Sequence, residues 1–125
     1  MTPQQLATLH ARVSATPWSA QSFSDQLGQS GALFTCCDNA FAIGRAVLDE
    51  AELFQIATAP EYQKQGLGKQ MLTAFEQSAK AHGCTRAFLE VAQSNVAAQR
   101  LYTASGWSLD GRRKSYYKCE DGSFE

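Results

Sequence analysis

Between an apolar run, Leu53-Phe54-Gln55-Ile56-Ala57-Thr58, and a helical stripe that begins at Leu67 lies the segment Gln63-Lys64-Gln65-Gly66-Leu67-Gly68-Lys69. A loop between a strand and the first turn of a helix gathers unpaired backbone N–H groups at the positive end of the helix dipole, where a phosphate is well held. Gly66 and Gly68 let the main chain approach an anion with no Cβ in the way, and Lys64 and Lys69 add charge at the rim. The common nucleotide loops do not match: a Walker A loop needs GxxxxGK followed by Ser or Thr, and a dinucleotide fingerprint needs a third Gly where Met71 stands. A GxG alone is also what any tight strand-to-helix turn carries. Two further side chains suit proton transfer. Glu90 sits among Phe88, Leu89 and Val91, a costly place for a carboxylate without a partner or a task, although a solvated sheet face would also carry it. Tyr102 follows on a helix opened by Asn95, one position off that helix's apolar stripe, so core packing alone is not expected to account for it. Its phenol, with an ordinary pKa of about 10, is protonated at neutral pH and can donate, while a half-buried aromatic is the plainer account.

The elements that must position these groups are legible as local patterns. Thr2-Pro3-Gln4-Gln5 forms a capping box, and Leu6, Leu9 and Val13 mark one face of the helix it opens. Ser19 caps a second short helix carrying Phe23 and Leu27 and stopped by Gly28. Ala32 to Cys36, Phe41 to Val47 and Glu52 to Thr58 are short apolar runs parted by Asp38-Asn39 and Asp49-Glu50, which predicts three strands of an antiparallel meander. After Pro60 the stripe Leu67, Met71, Leu72, Phe75 and Ala79 predicts a helix, with Gly83 as its left-handed stop and His82 near its C-terminal dipole. Arg86 to Ala92 reads as a strand. Ser94-Asn95 caps a helix with the stripe Ala97, Arg100, Leu101 and Ala104, ended by Gly106. Trp107 to Leu109 and Ser115 to Tyr117 read as one more strand or two pieces of it. The order ααβββαβαβ predicts a single α+β domain over residues 1–125 with a mixed sheet.

Composition narrows what such a domain does. Of the 125 residues 44% are apolar, enough for a core, and eleven Lys plus Arg against twelve Asp plus Glu leave a net charge of −1. That charge gives no global field for nucleic acid or an anionic bilayer, so direct nucleic-acid and membrane binding are not expected and any anion contact must be local. The start lacks the basic and apolar regions of a secretion signal, and the expected location is the cytoplasm. Cys36, Cys37, Cys84 and Cys119 show no CxxC pair and no ligand-spaced His, and they read as reduced thiols with no metal site. Arg112, Arg113 and Lys114 read as a solvated basic turn.

The spacing Q/R-x-x-G-x-G/A, met as Gln63 to Gly68 behind the strand Leu53–Thr58, resembles the acetyl-CoA pyrophosphate loop of the GNAT acetyltransferases. Leu89-Glu90-Val91 followed by Ser94-Asn95, then Leu101-Tyr102 with Ser105-Gly106-Trp107, and finally Tyr116-Tyr117, narrow the likeness to the RimI-like branch, the ribosomal-protein-alanine N-acetyltransferases. The likeness runs from about Asp49 to Tyr117, and the first 48 residues share only Pro17-Trp18-Ser19 and the helix–strand order. It implies a mixed, mostly antiparallel sheet flanked by about four helices. It also implies acetyl-CoA as the acetyl donor, held by Lys64, Gln65, Gly66, Leu67, Gly68, Lys69 and Asn95. Main-chain N–H groups of Ile56, Ala57 and Thr58 would face the pantetheine arm and polarise the thioester carbonyl. Glu90 takes the position of the general base, directly or through a water, a role suited to a partly desolvated carboxylate of raised pKa. Tyr102 takes that of the general acid. The branch usually begins with a strand before the first helix and ends with one inserted between the strands matching Arg86–Ala92 and Trp107–Tyr117. Both are expected to be absent here, which would expose unpaired backbone on a central strand and points to a truncated gene, a strand lent by a second subunit, or a local rearrangement near Tyr116-Tyr117.

The likeness implies a protein N-terminus as acceptor, the alanine of a small-subunit ribosomal protein, acetylated in a ternary complex by a monomer or homodimer. Magnitude agrees: deprotonating a lysine of pKa about 10.4 at pH 7 costs roughly 4.6 kcal/mol, an α-amine near 7.8 only about 1. A small-amine acetyltransferase of polyamine or aminoglycoside type, and a non-catalytic acyl-CoA-binding module, are the alternatives the same residues allow.

Overall fold

The computed structural model describes residues 1–90, 95–110 and 115–119. Thr2 opens α1 (Pro3–Val13) with the expected capping box: its hydroxyl accepts from Gln5 N–H at 3.2 Å while Gln5 Oε1 accepts from Thr2 N–H at 2.7 Å. Ser19 caps α2 (Ala20–Leu27), and Asn95 caps α4 (Val96–Ala104), each side chain accepting a first-turn N–H. The long helix α3 (Leu67–Ala81) ends at His82, whose Nδ1 lies 2.9 Å from Ser78 O, and Gly83 follows at φ 84°. No helix among the described residues is long and apolar enough to cross a membrane.

Six strands form one sheet: β1 (Ala32–Cys37), β2 (Ala40–Val47), β3 (Glu50–Thr58), β4 (Arg86–Glu90), β5 (Ser108–Asp110) and β6 (Ser115–Cys119), in spatial order β1-β2-β3-β4-β6-β5. Only β3 and β4 are parallel, joined across the sheet by α3. Period-two alternation separates two cores. Ala40 and Ala42 of β2 face Met71, Leu72 and Phe75 of α3, whereas Phe41 and Ile43 face Leu6, Leu9 and Phe23 of α1 and α2.

Three expectations are corrected. Val13 does not belong to the buried face of α1; it is 37% exposed, and His10 takes its place beside Leu6 and Leu9. The stripe of α4 is not Ala97, Arg100, Leu101 and Ala104. Tyr102 is buried and Ala98 and Leu101 pack with it, because the helix is turned about one residue further toward α3. The place beside β4 is not left without a strand either. Ser115–Cys119 pairs antiparallel with Arg86–Glu90 and forms its other ladder with β5.

The α3 side is set by one close approach. Phe75 packs over Gly44, where an added Cβ would come within 2.7 Å of the ring and 2.0 Å of Glu52 O. Gly44→Ala is expected to lower stability by about 2 kcal/mol or more, since backbone and ring must both move. Urea unfolding checks this, and a midpoint equal to that of the native chain would count against the packing described.

Candidate active site

β3 carries one residue more than the strand opposite. Ile43 pairs with Gln55 and Gly44 with Leu53, so Phe54 has no partner on β2. Such a bulge bends its strand and re-aims its side chains. Leu53 packs in the α3 core, whereas Phe54 lies 6.2 Å from the Trp18 ring and the Gln55 side chain hydrogen-bonds His10, so both turn to the α1–α2 face. On the other flank, among the described residues, β4 pairs with β3 over Glu50–Leu53 against Arg86–Leu89. Beyond Leu53, alternate residues of β3 aim N–H and C=O groups at a side where no described residue pairs with them. Ile56, Ala57 and Thr58 lie in this stretch, held from behind by Ala42, Phe41 and Ala40 of β2.

The loop beyond the strand is tied down by its own glutamines. Gln63 Nε2 donates to Thr58 O at 3.0 Å and Gln65 Nε2 to Glu61 O at 3.4 Å. Gln63, which opens the glycine pattern, thus closes the loop onto the strand end. Arg12 of α1 meets Glu61 in an exposed pair, the guanidinium holding the carboxyl below its usual range. Lys64 and Gly66 are both left-handed, at φ 63° and 86°. Such turns bring neighbouring N–H groups to a common concavity suited to an anion. Helix α3 has no side-chain cap, unlike α1, α2 and α4, and no acidic residue stands in its first turn. Its opening N–H groups are left to solvent or a ligand, with the dipole favouring negative charge. A Cβ on Gly66 would meet nothing within 4 Å, so the mouth is open. A cleft of about 450 Å³ continues from Gly66 and Lys69 along Gln70, Thr73, Ala74 and Gln77.

Gly68 is where the elements meet. A methyl on its Cα would lie 3.3 Å from Leu101 Cδ2 and 3.9 Å from Thr58 Oγ1, so the end of β3, the start of α3 and the middle of α4 converge there. Tyr102, next along α4, is 5% exposed, with its ring 6.2 Å from that of Trp107. The Trp107 indole N–H donates to Glu76 Oε2 of α3 at 3.2 Å. Core packing therefore does account for Tyr102, contrary to expectation. Asn95 spends its side-chain oxygen on Ala98 N–H at 3.1 Å. Glu90, at the end of β4, follows the last residue paired with β3 and stands opposite Ser115 of β6. The structure thus brings the end of β3, the start of α3 and α4 together at Gly68 and sets Glu90 at the end of the described β4. Among the described residues no group of three His, Cys, Asp or Glu side chains is placed to hold a metal ion.

Sequence reasoning misses the bulge and His10. His10 is 2% exposed and its Nδ1 accepts Trp18 N–H at 2.9 Å, with Phe23 and Phe41 edge-on to the ring. Its place one turn after Leu6 was the available signal. Burial lowers its pKa below the imidazole value of 6.5, and the Gln55 hydrogen bond opposes this in part.

An uncapped, glycine-turned helix start at the end of a strand is a frame suited to the diphosphate of a coenzyme, and residues 6–107 match the acetyltransferase (GNAT) family. The chain belongs to that family and is an acetyl-CoA-dependent N-acetyltransferase. It is 39% identical over 118 residues to the [ribosomal protein bS18]-alanine N-acetyltransferase of Escherichia coli K12, spanning 91% of this chain and 80% of that one. The protein of the same name from Haemophilus ducreyi is 42% identical over 113 residues, 87% of this chain and 78% of its own. The crystal structure of the ribosomal-protein-S18-alanine N-acetyltransferase from E. coli superposes with a TM-score of 0.77 at 32% identity, covering 92% of this chain and 84% of that one. A GNAT acetyltransferase from Staphylococcus aureus reaches 0.80 at 13% identity, covering 94% and 92%, a likeness of fold alone.

Two outcomes follow from this geometry. Gly66→Val forces a β-branched residue to a left-handed φ at the mouth of the cradle, and is expected to weaken coenzyme A binding by about tenfold or more in calorimetric titration. Because His10 titrates lower in the native state, the unfolded chain binds the proton first. The contribution of neutral His10 is complete above about pH 6.5 and is lost as pH falls toward the lower native value. The urea midpoint should therefore drop from about pH 7.5 to 5.5, and His10→Asn should flatten part of that slope.

Proposed function

We propose that this enzyme acetylates the N-terminal alanine of a ribosomal protein of the bS18 type, in the cytoplasm, by direct transfer in a ternary complex. The observation that carries the reading is the uncapped start of α3, with left-handed turns at Lys64 and Gly66, set beside the end of β3. The acceptor assignment draws on the relatives of that name, at 39 to 42% identity over most of this chain.

Acetyl-CoA, when bound, supplies an activated acyl group and an anionic diphosphate. The left-handed turns at Lys64 and Gly66 and the uncapped N–H groups of α3 suit the diphosphate, and Lys64 and Lys69 add charge. Asn95 would lie at the same mouth while capping α4. Backbone N–H groups along Ile56, Ala57 and Thr58 polarise a carbonyl oxygen without having to reorganise. Glu90 acts as the base that takes a proton from the incoming ammonium, and the Tyr102 hydroxyl returns one to the departing sulfur. Leu101, Tyr102 and Gly68 crowd the α3–α4 face of the opening. The amine therefore comes from the α1–α2 face, where Trp18 stands against Phe54.

Release of free thiol from acetyl-CoA is the deciding assay, with Ala-, Ser- and Met-starting peptides set against polyamines and aminoglycosides. Turnover of the Ala peptide alone supports the reading. Turnover of free amines moves the enzyme to the small-amine class, and tight binding without thiol release leaves only a binding module. Glu90→Gln and Tyr102→Phe are each expected to lower kcat by about 10²- to 10⁴-fold with acetyl-CoA affinity within about twofold, the pattern of lost proton transfer. A Glu90→Gln enzyme as fast as the native one would remove Glu90 from the mechanism.

A further inference from the structure

Resting on the reading of the strand opening as the transfer site, we propose that His10 is a positioning residue: it locks the loop between α1 and α2 to the bulged part of β3, so that the acceptor's wall and the acetyl group's donors form one unit. The proposal stands on how the imidazole divides its two nitrogens. Nδ1 accepts Trp18 N–H at 2.9 Å, which fixes the other nitrogen as the N–H that meets the Gln55 side chain. One contact belongs to the loop, the other to the strand.

The bulge gives that division its meaning. Phe54 and Gln55 are the two residues it turns to the α1–α2 face, and both are engaged from the loop, Phe54 by the Trp18 ring at 6.2 Å and Gln55 through His10. Ile56, the first of the three donor residues, follows directly. The ring itself is clamped by Phe23 at 5.7 Å and Phe41 at 6.1 Å, so it cannot follow a loop that drifts. Without His10 the partly buried Trp18 N–H loses its acceptor, and an orphaned donor drives the loop outward to find water. Trp18 would then leave Phe54, and the entry for the acceptor would lose its wall while the cradle at the start of α3 stayed intact.

The test compares the native enzyme with His10→Leu, His10→Asn, His10→Gln and Gln55→Leu. It measures steady-state thiol release with an Ala-starting peptide, calorimetric affinity for acetyl-CoA, and amide exchange at Trp18 by NMR. Loss of one buried hydrogen bond corresponds to about tenfold in each equilibrium. His10→Leu should speed Trp18 exchange and raise the peptide KM by about that factor, lower kcat, and leave acetyl-CoA affinity within about twofold. His10→Asn, which sets an oxygen where Nδ1 was, should recover exchange and KM, and His10→Gln should not. Gln55→Leu should raise the peptide KM while Trp18 stays protected. Native kinetics in His10→Leu, or failure of Asn to recover what Leu loses, would overturn the proposal and leave the ring as filling. If His10→Leu does not fold, equal kinetics of the Asn and Gln variants overturn it. If the native enzyme releases no thiol with any peptide, the proposed function fails by itself, and slow Trp18 exchange in His10→Leu would still reject the lock.

Discussion

The rest of the structure depends on β3, which among the described residues pairs with β4 over Glu50–Leu53 and is held by β2 along its whole length. The end paired with β4 is pinned by groups at the edge of the sheet: Glu50 meets Arg86 in an ion pair of 3.0 Å between register partners, and Thr85 N–H donates to Asp49 O at 2.7 Å. From there the ladder among the described residues runs to Leu53 and Leu89. Strand groups without a partner are expensive, because each buried backbone group left unpaired costs about 1–3 kcal/mol. On the other side β2 pairs with β3 from Val47–Glu50 to Ala40–Thr58 and holds its far end rigid from behind. The extra residue at Phe54 supplies the bend, and the cost is offset wherever water or a ligand reaches such groups.

The two cores make that geometry reproducible. On one face Phe75 of α3 seats against Gly44, opposite the bulge, and this contact fixes how far along the sheet α3 lies. Its N-terminus consequently falls beside Thr58, with Gly68 touching Leu101 of α4. On the other face Phe23, Phe41 and His10 form an edge-to-face cluster under α1 and α2. A single irregularity between Ile43 and Gly44 therefore aligns the cradle on one side and engages the helix–loop–helix segment on the other. Packing and site geometry are here the same set of contacts.

What was legible in the sequence was local, and what was not was pairing across the chain. The capping box at Thr2, the caps at Ser19 and Asn95, the glycine stop at Gly83 and the stripe of α3 follow from short-range chemistry, and all are found. The glycine loop was readable for the same reason. The bulge was not, because Phe54 looks like any strand residue until the register with β2 is known. The place of Ser115–Cys119 beside β4 depends on contacts across a long sequence gap. The face of α4 was misread because Ala97 and Ala104 are apolar yet exposed, and Tyr102 is polar at one atom yet buried. His10 was passed over because a polar residue on an apolar face carries no mark of its partners. Donors at Ile56 to Thr58 are backbone, and any side chain could have covered them.

The division of labour between cradle and opening follows from what changes during transfer. A chain of net charge −1 has no long-range field to gather a polyanion, so attraction must come at short range from N–H groups, the α3 dipole and two lysines. On the proposed reading those groups would face the part of the donor that is identical before and after reaction, and binding that is uniform along the reaction raises no rate constant. The groups proposed at the end of β3 would face the atoms whose charge alters, as the carbonyl oxygen gains negative charge and the sulfur departs. Rate enhancement would then come from them, while the glycine loop, although the stronger signal in the sequence, would contribute affinity. A fold built this way can exchange acceptors by altering the α1–α2 wall while keeping both cradle and opening unchanged.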